Sequence, residues 1–447
     1  MKHINTLIIG AGITGISTAY HLQRSGYDDY LIVDSRPKGL CITKPYKGFL
    51  FDIAGHVIHY RTTYYKEFVE SIMGTNLLKQ RRKAYFVFQH HLLPYPFQAY
   101  FYMIPNHKVV NECIRGLEGI SKFGTKQKPE NFKEWLITNF GTGIANHFLI
   151  PYNQKVWRFP LEKISLDWVE KYVPKININE ILRVAKGISN YAIKEYGYNP
   201  IFFYPKYGGI QAVIDAMINK MGNQFNSCFK KSNVSKISIA KKIAILNNGT
   251  KIKWNNLVST IPLPELVKLI VDAPSIISSY ARMLKHTSLL SINLGIRGEI
   301  KTDAHWIYFP EQNVPFHRVV IQSNLSPYVS PDLSYSLIIE RSFRAKKVVS
   351  MENIIDQVIT NLLKNGFIKN RSDILTTKVN LLRYAYPIYD IEHYEKKSLV
   401  VAFLKYYSVH SIGRFGSWEY FSMEDCFLQG KNTAESIAKG NEEQQYL

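Results

Sequence analysis

Leu7-Ile8-Ile9-Gly10-Ala11-Gly12-Ile13-Thr14-Gly15 is the stretch on which the fold of this chain turns. An apolar run breaks into Gly-x-Gly-x-x-Gly and resumes as a helical pattern through Tyr20 and Leu22. A second apolar run, Tyr30-Leu31-Ile32-Val33, ends in Asp34, 19 residues beyond Gly15. Strand, glycine turn, helix, strand and acid in this order make a Rossmann-like unit. Gly10, Gly12 and Gly15 let the backbone turn tightly and approach a pyrophosphate, whose charge faces the helix N-terminus at Ile13 and Thr14. Asp34 is placed to accept hydrogen bonds from an adenosine ribose. The expected ligand is a dinucleotide.

The sequence beyond Asp34 selects among dinucleotides. Ser35-Arg36-Pro37-Lys38-Gly39-Leu40-Cys41 leads to Phe49-Leu50-Phe51-Asp52-Ile53-Ala54-Gly55-His56-Val57, a hairpin-like segment. This order resembles the FAD-binding start of the amine-oxidase and protoporphyrinogen-oxidase superfamily: acid, short loop, Gly-Gly, then Phe-x-Phe-Asp-x-Gly-Gly-His. The resemblance implies FAD, with Ser35, Gly39, Leu40, Gly55 and His56 added to the cofactor contacts. Lys38 and Ala54 stand where glycine is usual. Lys38 either tightens a phosphate contact or is simply tolerated. An NAD enzyme has no reason to carry the second loop.

At 447 residues the chain should bury a large core and divide into more than one domain. No window reaches 18 uninterrupted apolar residues, so a membrane-spanning helix is not expected. The first strand starts at once, leaving no room for a signal peptide. Cys41, Cys113, Cys228 and Cys426 show no metal-ligand spacing and read as reduced thiols of a cytoplasmic protein. The net charge of +21 comes from dispersed basic residues, in stretches such as 122–133, 230–242 and 344–347, which read as solvated faces. No nucleic-acid module accompanies them, so no nucleic-acid partner is expected. A basic field can still attract an anionic substrate.

The expected fold class is α/β: a discontinuous FAD-binding domain (1–90, 200–265 and 398–447), a helical insert (91–199) and an antiparallel-sheet domain (266–397). Helical spacing runs through residues 109–193, and the pattern turns to period two after residue 230. Strands are expected at 236–240, 243–246, 251–254 and 255–260, with a turn at Asn247-Asn248-Gly249-Thr250. Others are expected near 288–296, 304–309, 319–322 and 334–339, then a helix over 351–365. Leu399-Val400-Val401-Ala402-Phe403 reads as a final strand before the C-terminal helix.

Six segments in matching order carry a closer resemblance. They are Tyr95-Pro96-Phe97-Gln98; Pro151-Tyr152-Asn153-Gln154-Lys155-Val156-Trp157; Phe202-Phe203-Tyr204-Pro205 followed by Gly208-Gly209; Gly295-Ile296-Arg297-Gly298; Tyr308-Phe309-Pro310-Glu311 with Ser323-Asn324-Leu325-Ser326-Pro327-Tyr328; and Gly413-Arg414-Phe415-Gly416-Ser417-Trp418. With the FAD loops they resemble UDP-galactopyranose mutase, particularly its eukaryotic-type branch, over nearly the whole chain. The resemblance implies a non-redox isomerase that interconverts pyranose and furanose forms of a nucleotide-diphosphate sugar. Reduced flavin N5 is the nucleophile at the anomeric carbon. NAD(P)H is the reductant considered, and galactofuranose for cell-surface polysaccharide is the expected product.

Residue by residue, the match gives Gly55 and His56 the loop beside flavin N5. It makes Arg297 a diphosphate-binding arginine, and Tyr386 and Tyr420 two tyrosines on the same diphosphate. Asn153 and Trp157 fall on the substrate side of the helical domain, Tyr95, Gln98 and Phe148 around the base, and Asn199 on base or sugar. Arg414 falls near flavin and substrate, so the catalytic set is His56, Arg297 and Arg414. Gly208, Gly209, Met423 and Glu424 complete the cofactor contacts. For His56 the alternative is a structural histidine, and for each aromatic it is core packing.

One departure bears on the substrate. The family's second diphosphate arginine falls on Tyr172, among the substrate-binding positions. Lys171 stands beside it, and Arg318 is the further cation to consider if residue 172 turns from the phosphates. A milder departure is Ser422-Met423-Glu424, where Asn-Met-Asp is more usual. The rival reading is an FAD-dependent oxidoreductase of amine-oxidase, protoporphyrinogen-oxidase or desaturase type, which needs neither Arg297 nor the tyrosine pair. A third is a protein that holds FAD without turnover.

Overall fold

The computed structural model describes residues 1–123, 128–169, 177–188, 200–344 and 350–445. Two seven-stranded sheets organise an α/β fold. In the first, the order is Val234–Ser238, Ile243–Leu246, Lys251–Ser259, Lys2–Ile9, Tyr30–Asp34 and Phe229–Lys231, with Val409–Ser411 also paired to Lys251–Ser259. Lys2–Ile9 runs parallel to both of its neighbours. Its apolar run is continuous because both faces are covered. Ile8 and Ile32 join Ile16 and Ala19 of helix Ile13–Arg24, while Leu7, Ile9, Leu31 and Val33 join a second cluster on the other face.

Two expectations change on that second face. Leu266, Val267, Ile277, Ala281 and Leu284 pack there, so residues 266–284 attach to the Rossmann-like sheet and not to the second sheet. The expected strand at 399–403 is part of helix His393–Tyr406. Its β-branched pair Val400-Val401 mimics a strand locally. Burial of His393, Lys396, Val400 and Leu404 at spacings of three and four shows the helical face that wins.

The second sheet runs Ile374–Pro387, His286–Arg297, Ser334–Phe343, Arg318–Ile321, Trp306–Tyr308, Ala84–Phe88 and His91–Pro94. All its pairings are antiparallel except Trp306–Tyr308 with Ala84–Phe88. The boundary expected at residue 90 therefore falls inside a hairpin of this sheet. Phe86 and Phe88 enter one core cluster and Val87 another, so this strand needs cover on both faces. Helix Met351–Lys364 closes the outer face through Ile354, Val358 and Leu362.

The described helices of the helical insert include His107–Phe123, Phe132–Ile144, Ile150–Trp157 and Ile178–Ala185. Its aromatic residues share the large core cluster with the inner face of the Rossmann-like sheet. No described helix is long and apolar enough to cross a membrane.

Candidate active site

The glycine turn has the shape of a phosphate cradle. Gly10 adopts φ +103°, and a Cβ there would lie 2.2 Å from Thr260 Oγ1; one on Gly15 would lie 1.9 Å from the Gly10 carbonyl oxygen. Gly12 caps helix Ile13–Arg24 without any side-chain acceptor, so the first-turn amides at Ile13 and Thr14 face outward for an anion. Asp34 accepts from Ala11 N at 2.7 Å and Arg36 N at 2.8 Å. Those two bonds leave lone pairs on its carboxylate for a ribose hydroxyl. The loop through Ser35, Gly39 and Leu40 folds back on the turn, where a Cβ on Gly39 would approach Gly12 Cα to 3.1 Å. These features fit a dinucleotide of FAD type.

Lys38 finds a partner on the protein itself. It sits at φ +88°, and its ammonium pairs with Asp215 at 2.7 Å. Hairpin Thr43–Tyr46 and Phe49–Asp52 is tied to Gly208-Gly209 through Asp52, which accepts from Thr43 Oγ1, Tyr204 hydroxyl and Ile210 N. Burial pushes the Asp52 carboxyl up to about 6, against those three donors.

The C-terminal string closes the cradle. Gly413 adopts φ +81°, and a Cβ there would meet Thr14 Oγ1 at 2.7 Å. Arg414 then spans two segments, donating from Nη1 to Phe421 O at 2.8 Å and from Nη2 to Ala385 O at 3.0 Å. Its guanidinium lies 4.4 Å from the Tyr420 ring centre. Tyr420 stacks on Tyr386 at 5.8 Å, and Trp157 meets Tyr386 edge-on at 6.1 Å. Asn153 accepts from the Trp157 indole at 3.1 Å and donates to Leu149 O, which fixes the indole rotamer. Four residues expected around the substrate, with Arg414, thus form one wall.

A second aromatic group adjoins it. Tyr95 lies 4.4 Å from Tyr308, and Phe148 stacks on Phe97 and Tyr152. Gln98 is buried with its amide oxygen lacking a partner. Tyr308 also accepts from Arg82 Nη2 at 3.2 Å.

Arg297 does not reach this site. Strand His286–Arg297 pairs Thr287 with Tyr386 at one end and Arg297 with Ser334 at the other. Ten residues of strand put Arg297 about 33 Å away, on the surface. The arginine that does face the cluster is Arg318, which interacts electrostatically with Tyr152, Tyr308 and Tyr386. It sits directly across from Glu340 in the neighbouring strand and binds its carboxylate through Nε at 2.8 Å and Nη2 at 2.6 Å. The other Glu340 oxygen accepts from Gly55 N at 3.0 Å. One fully buried carboxylate therefore holds both the Gly55–His56 loop and the arginine. Glu340 breaks the apolar run Leu337-Ile338-Ile339, a sequence signal that could have flagged the pair.

His56 is neutral here. Burial pushes it down to about 4; Glu340 and the Ala54 carbonyl oppose that, while Arg414 and Arg318 add to it. The neutral ring donates from Nδ1 to Ala54 O at 3.1 Å, which leaves Nε2 as an acceptor. Glu424 differs from its expected role. Its oxygens accept four bonds, from Arg61 N and Nε and from Thr62 N and Oγ1, which fills the carboxylate's capacity. It ties the final helix, which Met423 opens, to the 61–62 loop and has no lone pair left for a cofactor. Tyr172 and Asn199 lie outside the described residues.

The family description NAD(P)-binding Rossmann-like domain matches residues 8–72. Among solved structures, reduced UDP-galactopyranose mutase is 26% identical at a TM-score of 0.90, covering 97% of this chain and 93% of that one. Two others share the fold: a candidate protoporphyrinogen oxidase from Exiguobacterium sp. 255-15 (TM-score 0.73, 14% identity, 98% and 99% covered) and putrescine oxidase bound to putrescine (0.66, 15%, 97% and 99%). Over nearly its whole length the chain resembles UDP-galactopyranose mutase, and it shares its fold with the two oxidase structures.

Proposed function

We propose that the chain is a flavin-dependent nucleotide-sugar mutase that interconverts pyranose and furanose rings without net redox change. The observation that carries this reading is the meeting of Arg318, Arg414 and the Tyr386–Tyr420 pair beside the Gly55–His56 loop. Two guanidiniums and two phenols suit a diphosphate; an amine or polyene substrate needs neither arginine. Bound, reduced flavin supplies the nucleophile for the anomeric carbon.

The chain's own residues then have definable tasks. Arg318 and Arg414 hold the departing diphosphate close, so that its return to the sugar is intramolecular. Tyr386, Tyr420 and Trp157 shape the sugar-side wall, and Asn153 orients the indole. Tyr95, Phe148 and Gln98 receive the base, with the Gln98 amide oxygen as acceptor. Neutral His56 keeps an acceptor nitrogen on its loop, and Gly10 to Gly15 with Asp34 hold the cofactor's adenosine diphosphate end.

The test is anaerobic. Dithionite-reduced protein incubated with UDP-galactose and related nucleotide sugars should interconvert the two ring forms, read by NMR, with no change in flavin redox state. Turnover of an amine or polyene by the oxidised protein, with stoichiometric peroxide, would replace this reading with the oxidase one.

A further inference from the structure

We infer that Tyr389 is a positioning residue that sets two walls of the substrate site at once. The inference rests on the nucleotide-sugar reading of that site. Tyr389 is fully buried. Its hydroxyl donates to Glu419 Oε2 at 2.7 Å and accepts from Tyr420 N at 2.6 Å. A hydroxyl that donates to a carboxylate becomes a stronger acceptor, so the two bonds reinforce each other. Lys397 pairs with the same carboxylate. The backbone of Tyr420 is thereby pinned at the point where its ring meets Tyr386 and the Arg414 guanidinium.

The same residue reaches the other wall. Its ring stacks on Trp168 at 5.8 Å and 19°, and Trp168 meets Trp157 edge-on at 4.9 Å. The Tyr389 carbonyl also accepts from Ser165 N at 2.8 Å, within the helical insert. Tyr420 arrives from the C-terminal loop, and Trp157 from the insert. These two segments have no covalent reason to keep register, and Tyr389 gives them one.

The experiment uses FAD-loaded protein and UDP as the probe. Tyr389→Phe keeps the ring on Trp168 and removes only the hydroxyl. It should leave FAD stoichiometry unchanged and weaken UDP binding about three- to tenfold, the range for one lost hydrogen bond. In a Tyr420→Phe background the same substitution should weaken binding distinctly less, because part of its effect passes through the Tyr420 hydroxyl. Glu419→Gln, which leaves the Tyr389 ring untouched, should weaken UDP binding in the same direction. It supplies the same cycle if Tyr389→Phe does not fold. Unchanged UDP affinity in the folded variant, or full additivity with Tyr420→Phe, overturns the inference. Failure of the wild-type protein to bind UDP or any other nucleoside diphosphate would instead overturn the mutase reading.

Discussion

Arg318→Ala should expose how strongly the site depends on one buried ion pair. Glu340 is fully buried and accepts from Arg318 at 2.8 and 2.6 Å and from Gly55 N at 3.0 Å. Burial favours its neutral form, but Arg318, His317 and the Gly55 amide outweigh burial and hold the carboxyl at about 2, below its ordinary 4.5. A folded-state pKa below the unfolded value contributes stability above pH 4.5 that is lost as pH falls toward 2; this shift corresponds to about 3 kcal/mol. Without the guanidinium, burial dominates and the pKa rises above the unfolded value. An unpaired buried carboxylate should then cost about 3–5 kcal/mol at pH 7. That cost fades as pH falls through the raised pKa and the acid turns neutral. Urea unfolding of FAD-loaded wild type and variant should therefore differ by about 3–5 kcal/mol at pH 7 and clearly less at pH 4.5. Adding Glu340→Gln should recover most of the stability but not UDP binding. A variant within about 1 kcal/mol of wild type at pH 7, or a difference that ignores pH, would refute the reasoning.

Arg297→Ala should leave UDP affinity within about twofold of wild type, since about 33 Å of strand separates Arg297 from the tyrosine pair; calorimetric titration checks this. Gln98→Leu should leave thermal stability equal or higher, because it removes a buried unpartnered oxygen, yet weaken UDP binding by about 1–3 kcal/mol. A variant with wild-type UDP affinity would remove Gln98 from the base site. Lys38→Gly relieves a φ of +88° but loses the Asp215 pair, so the two effects should cancel to within about 1 kcal/mol by thermal melting, with FAD content intact.

What could be read in advance was whatever is encoded in contiguous residues. Gly10 to Asp34 carries its strand, turn, helix and second strand within one short window, and Gly413 to Trp418 announces its close packing through its glycines. Trp157 and Asn153 are one helical turn apart, so their hydrogen bond follows from spacing. At the level of sequence Arg318 is only a fallback, because its role depends on a cross-strand register with Glu340, 22 residues away. Arg297 misled for the complementary reason: it stands in a family-like string, but the strand carries it away from Tyr386. The 399–403 segment failed because β-branched propensity is weaker than the tertiary face that helix His393–Tyr406 buries.

The glycine turn is also a matter of timing. Thr14 is touched by Gly413, a Cβ on Gly430 would lie 2.6 Å from the Thr14 carbonyl oxygen, and Ser17 donates to Phe427 O at 2.6 Å. The turn is completed by partners about 400 residues further along the chain. At roughly 5–20 residues per second, the N-terminal turn waits on the order of 20–80 s for those partners. Through that interval its parallel neighbour Lys251–Ser259 is also missing for more than half the time. Cofactor loading should therefore follow synthesis of Gly413, and a nascent chain halted before that residue should emerge without flavin however much FAD the cell supplies.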